Sequence, residues 1–79
     1  GIDAKVEING QTKTVQIKPF KSFEIEDNKV KVFGTGNVKK YKVDYLVFHN
    51  DSKGIKVFDN SNTDIIDGVY VFDEDSMMK

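Results

Sequence analysis

The stretch SFEIEDNKVKVF, residues 22–33, constrains the fold of this chain more than any other. Apolar and charged residues alternate on both sides of Asp27-Asn28, the pattern of two half-buried strands joined by a tight turn. A two-residue turn there sets Phe23 opposite Val32 and Ile25 opposite Val30. The same register sets Glu24 opposite Lys31 and Glu26 opposite Lys29. Apolar meets apolar and acid meets base, and each such cross-strand pair contributes about 0.2–1 kcal/mol. A slip of one residue would lose both sets together.

The same alternation recurs between clusters of Gly, Asn, Asp and Pro, and no segment keeps a helical period over three turns. Strands are predicted over residues 3–9, 13–18, 21–27, 29–34, 39–49, 55–59 and 68–73, with one short helical turn in DNSNTDII. The expected fold is all-β, a small antiparallel barrel or rolled sandwich of about six strands, SH3-like or OB-like in size. The 79 residues form a single small β domain over 1–79 that ends in a short acidic tail. A chain of this length buries only about 60–65% of its unfolded surface, so its core is one thin layer. Its non-local ladders predict slow folding for its size.

Two further hairpins are expected. Pairing Val6 with Ile17 and Ile8 with Val15 implies a four-residue loop, Gly10 to Lys13, because a tight Asn9-Gly10 turn would oppose Val6 to Lys13. Pro19 has no N–H to give and marks an edge or a bend. In the last of these hairpins, a Ser52-Lys53-Gly54 loop sets Phe48 opposite Phe58, and a shift of two sets Leu46 opposite Phe58. Either register collects Tyr41, Val43, Tyr45, Val47, Ile55 and Val57 on one face. The other face carries Lys40, Lys42, Leu46, Phe48, Lys56 and Phe58. Tyr45 to Phe48 is therefore apolar on both faces, as is VYVF at 69–72. Assigning the first set to the interior leaves the second as surplus apolar surface.

Surplus apolar surface points to an interaction site. On this reading the chain is a non-enzymatic binding module that engages a protein partner or a copy of itself. Leu46, Phe48, Phe58 and Tyr70 are its anchors, and Lys40, Lys42 and Lys56 its rim. An edge strand could also accept a partner's strand. The alternative is single-stranded nucleic-acid binding, with bases stacked on Phe33, Phe48 and Phe58 and phosphates met by Lys31, Lys40, Lys42 and Lys56. Two features weigh against it. All twelve cationic side chains are Lys, so the bidentate Arg fork is absent, and residues 43–79 carry eight acids against three Lys. The plainest reading is that the second face packs under the chain's own first hairpin or under Met77-Met78.

Other chemistry finds few residues to carry it. Without Cys there is no disulfide, thiolate nucleophile or Cys-bound zinc. His49 is the only His, Ser52 belongs to a turn, and no third group completes a nucleophile, base and orienter set. From Asp59 the spacing superficially resembles a calcium loop, yet Asp64 stands where Gly is needed and Tyr70 where the bidentate Glu belongs. No catalytic residue, metal or cofactor is expected. No run of 18 apolar residues and no leader-like segment occurs, so a cytoplasmic location without membrane contact is expected. The Lys-, Asn- and Ile-rich, Arg-free composition suits a low-GC bacterium or its phages, and with that an adaptor or inhibitor of a host protein.

Overall fold

In the computed structural model, which describes residues 2–79, three tight turns place two consecutive residues in the left-handed region. They are Asn9-Gly10 (φ 50° and 77°), Asp27-Asn28 (52° and 63°) and Asp67-Gly68 (52° and 74°). Positive φ at both central residues matches the right-handed twist of the flanking strands, and Asn, Asp and Gly tolerate it best. These turns close the hairpins β1 (Ala4–Ile8) with β2 (Gln11–Pro19), β3 (Ser22–Glu26) with β4 (Lys29–Phe33), and β7 (Asp64–Ile66) with β8 (Val69–Asp73). The remaining strands, β5 (Tyr45–Asn50) and β6 (Gly54–Asp59), pair across Asp51-Ser52-Lys53. The side-chain oxygen of Asn50 accepts the N–H groups of Ser52 and Lys53 there, both at 2.8 Å.

Among the described residues the eight strands form two four-stranded sheets, ordered β1-β2-β5-β6 and β3-β4-β8-β7. The arrangement is a two-sheet sandwich with no closed barrel. It is also not wholly antiparallel, because β2 and β5 run parallel, Val15 beside Tyr45 and Ile17 beside Val47. The chain leaves the first sheet after β2, makes the β3–β4 hairpin in the second, and returns through residues 34–44 to enter β5 in the same direction. No helix is long and apolar enough to cross a membrane among the described residues.

The β3–β4 register is the expected one at every position, including Glu24 with Lys31 and Glu26 with Lys29. The β5–β6 register is the shifted alternative, with Leu46 opposite Phe58 and His49 opposite Ile55. The first hairpin corrects the expectation: its turn is the tight Asn9-Gly10 one, Ile8 faces Gln11, and Val6 faces Lys13. Opposing Val6 to Lys13 wastes no interior position, because that face looks outward. The strand expected over 39–49 begins only at Tyr45.

Residues 34–44 cross between the sheets and are held by side chains instead of a ladder. The Tyr70 hydroxyl donates to the Lys39 carbonyl at 2.8 Å and accepts the Lys39 N–H at 3.1 Å. The Asn60 amide donates to the carbonyls of Tyr41 and Val43, both at 2.9 Å. The helical turn expected in 59–66 is absent; a turn and β7 stand there, and the 3₁₀ turn lies at Glu74–Ser76. The acidic end of the chain does not trail into solvent. Met77 bridges Phe58, and the Met78 N–H bonds the Val57 carbonyl at 2.8 Å, along the edge of β6.

Between the sheets lie Leu46, Phe48 and Phe58 from the first, Val30, Val32, Tyr70 and Phe72 from the second, and Phe20 from the connection. Phe48 is fully enclosed, with the rings of Phe58, Tyr70, Phe72 and Phe20 at centroid distances of 5.7, 5.8, 5.9 and 6.5 Å. Phe58 and Phe72 stack at 4.2 Å. This reverses the assignment of the two faces. The set expected to be surplus is the core, because residues 22–33 and 64–73 build a second sheet that covers it. Tyr45, Val47, Ile55 and Val57, expected inside, point out. Tyr41 and Val43, grouped with them, instead flank the core from the crossing segment.

Candidate functional site

The outer faces of the two sheets differ in character. That of the second sheet carries Glu24, Glu26, Lys29, Lys31, Asp64 and Asp73 around a buried Val71. Long charged side chains there shield apolar surface with their stems. Lys29 pairs with Asp73, and that hydrogen bond and charge hold its ammonium above the usual lysine range.

The outer face of the first sheet is apolar. The period of two along each strand turns Ala4, Val6 and Ile8 of β1 outward, with Val15 and Ile17 of β2 beside them. Tyr45 and Val47 of β5 and Val57 of β6 continue the surface, and Met78 lies over its far side. Together they line a shallow groove of about 350 Å³ without a charged residue. Val15, at the middle of the floor, is only 5% exposed, whereas Ile17 is 44% and neighbouring Ile55 67% exposed.

Charge returns at one end of this face, where Lys13, Asp44 and Asp59 meet. The Asp44 carboxylate accepts the Thr14 N–H at 2.8 Å and the Thr14 hydroxyl at 3.2 Å. The backbone bond leads the causes that hold Asp44 below the usual carboxylate range. Asp59 is lowered in the same way, first by the side chain and then by the N–H of Ser61. Both acids stay charged in neutral solution and mark a polar boundary to the groove.

The residues singled out in sequence do not form one surface site; the apolar anchors meet in the core. Leu46, Phe48, Phe58 and Tyr70 are at most 1% exposed and cannot anchor a partner from the outside. Lys40 and Lys42 are exposed on the crossing segment, and the Lys56 ammonium sits over the Phe23 ring at 5.4 Å. Lys31 belongs to the outer face of the second sheet, with half-buried Phe33 two residues further along the same strand. Phe48 and Phe58 are thus closed to base stacking, and the half-buried Phe33 shares its face with Lys31 alone of the four lysines. The ring of Tyr41, between Lys40 and Lys42 in sequence, already has the Lys18 and Lys39 ammonium groups at 5.1 and 5.2 Å.

Sequence reasoning missed Val6, Ile8 and Ile17 as surface, and it put Tyr45, Val47, Ile55 and Val57 inside. One signal could have corrected this. The large planar side chains, Phe48 and Phe58, lie on one parity, while the opposite parity holds mostly Val and Ile; aromatic rings dominate cores because each buries more surface. The strand β7 also had a signal, since Asp-Gly between IleIle and ValTyr is a strong two-residue hairpin mark. The chain matches no protein-family model, no curated protein and no solved structure.

Proposed function

We propose that this chain is a non-enzymatic binding module that docks a protein partner on the outer face of the β1-β2-β5-β6 sheet. The observation that carries the reading is the uncharged groove lined by Val6, Ile8, Ile17, Tyr45, Val47 and Val57. A contiguous apolar surface rimmed by polar groups is what interaction sites of small domains present. Its chemistry selects apolar side chains on the partner, with Tyr45 as the aromatic contact within the groove and Lys13, Asp44 and Asp59 as charged rim.

Charge introduced in the groove, at Ile17, and beside it, at Ile55, tests this. Ile17→Lys and Ile55→Lys alter exposed side chains, so the fold should keep its stability to within about 0.5 kcal/mol. Proteins retained from a cell extract by the immobilised wild-type chain should be lost with either variant and kept with Lys31→Glu, which lies on the other sheet. Equal retention by all four chains would overturn the reading. So would retention that follows Lys31 and disappears with salt, the behaviour of a polyanion ligand.

A further inference from the structure

The four edge strands of the sandwich are not alike. At the first sheet's far edge, β6 is partly covered by Met77 and Met78 of the same chain. In the second sheet β7 has only three residues. At the other edge, β3 carries Glu24 and Glu26, so an antiparallel copy of β3 would oppose acid to acid in either register centred on that pair. Among the described residues only β1, Ala4–Ile8, is a five-residue edge that is uncovered and carries both signs of charge.

The geometry of its hairpin decides which groups β1 offers. A two-residue turn closes on a hydrogen-bonded pair, here Ile8 with Gln11, and pairs along an antiparallel ladder alternate. Val6 and Lys13 therefore bond each other as well, while Lys5 and Glu7 direct their N–H and C=O groups away from β2. The side chains of both are exposed, and neither makes an ion pair within the chain among the described residues.

We infer that β1 is a self-complementary edge that pairs antiparallel with β1 of a second copy about a two-fold axis through Val6. In that register Lys5 stands opposite Glu7 of the other copy, and Glu7 opposite its Lys5. The outward N–H and C=O groups of these residues exchange four hydrogen bonds. On the apolar side Val6 meets Val6, and Ala4 meets Ile8. Moving the axis to Lys5 or to Glu7 sets like charges against each other, so one register is selected. The product is a closed, isologous dimer with a continuous eight-stranded sheet, ordered β6-β5-β2-β1 and then β1-β2-β5-β6 of the other copy. The inference concerns the edge and not the apolar face, and it stands whether or not that face has a partner.

Charge reversal tests it without touching the core. Sedimentation equilibrium should give twice the mass of one chain for the wild type. Lys5→Glu alone and Glu7→Lys alone each convert two attractive pairs into repulsive ones and should weaken dimerisation about tenfold or more. The double variant Lys5→Glu/Glu7→Lys restores opposite signs and should recover the dimer. An equimolar mixture of the two single variants should also recover it, as a heterodimer, because every cross-pair is again of opposite sign. A wild-type chain that stays monomeric at millimolar concentration overturns the inference. So does a dimer indifferent to these reversals but broken by Ile17→Lys, which would place the contact on the face. Failure of the face reading shows in partner retention and leaves the mass measurement unchanged, so the two can fail separately.

Discussion

At the scale of single residues, two side chains carry more of the fold than their neighbours. Phe48 touches rings from both sheets and from Phe20, and it has no exposed surface. Phe48→Ala should lower the unfolding free energy by about 3–5 kcal/mol in urea titration, the usual cost of a large core truncation. Tyr70 has a different role, since its hydroxyl ties the crossing segment to the core through both backbone groups of Lys39. Burial, the largest influence, pushes the Tyr70 phenol above its ordinary value of 10.0, with the Lys39 backbone bond acting in the opposite sense. A raised pKa in the fold means that the folded state keeps its proton after the unfolded chain has begun to lose it. Stability from this group is thus complete below pH 10 and falls as pH rises from there through the higher folded value. Tyr70→Phe should cost about 1–3 kcal/mol at neutral pH by leaving the Lys39 groups unpaired, and should show a shallower alkaline decline in melting temperature.

At the scale of elements, the tight turns set the hairpin registers. Asp27 and Asn28 both sit at positive φ, where any residue but Gly is strained, Asn and Asp least. Asn28→Ala should therefore destabilise by about 1 kcal/mol, as judged by chemical denaturation, with no change in cross-strand contacts by nuclear Overhauser spectroscopy. Asn28→Gly, which removes the strain, should not. The β3–β4 register could be read from sequence because turn, apolar pairs and charge pairs agreed. The first hairpin misled because its apolar positions were assumed to face inward. Once that assumption goes, the Asn9-Gly10 dipeptide alone selects the observed turn.

Across the whole molecule, the two outer faces differ in chemistry. One is a field of Glu, Asp and Lys, the other an apolar groove between the β1 edge and Met78. The groove residues and the core residues sit on opposite sides of the same strands, so matched substitutions separate their duties. Ile17→Lys and Ile55→Lys should leave the thermal midpoint near that of the wild type, while Phe48→Ala lowers it by many degrees; calorimetry on the three variants checks the division.

Local chemistry determined the all-β class, the Asp27-Asn28 turn and the hairpin it closes, because each depends on residues a few positions apart or directly opposed. It also flagged Tyr45 to Phe48 as apolar on both faces, which is where the surface question lies. Which face is buried it marked only weakly, through the rings of Phe48 and Phe58 on one parity. Both parities of β5 and β6 could fill a core, and the choice depends on where a second sheet, built from residues 22–33 and 64–73, comes to rest. That placement follows from the 34–44 crossing and the parallel β2–β5 pairing, contacts between residues about 30 apart in sequence. Burial is a property of the assembled layers, so it took the tertiary structure to turn Leu46, Phe48 and Phe58 inward and leave Val6, Ile17, Tyr45 and Val47 on the outer face.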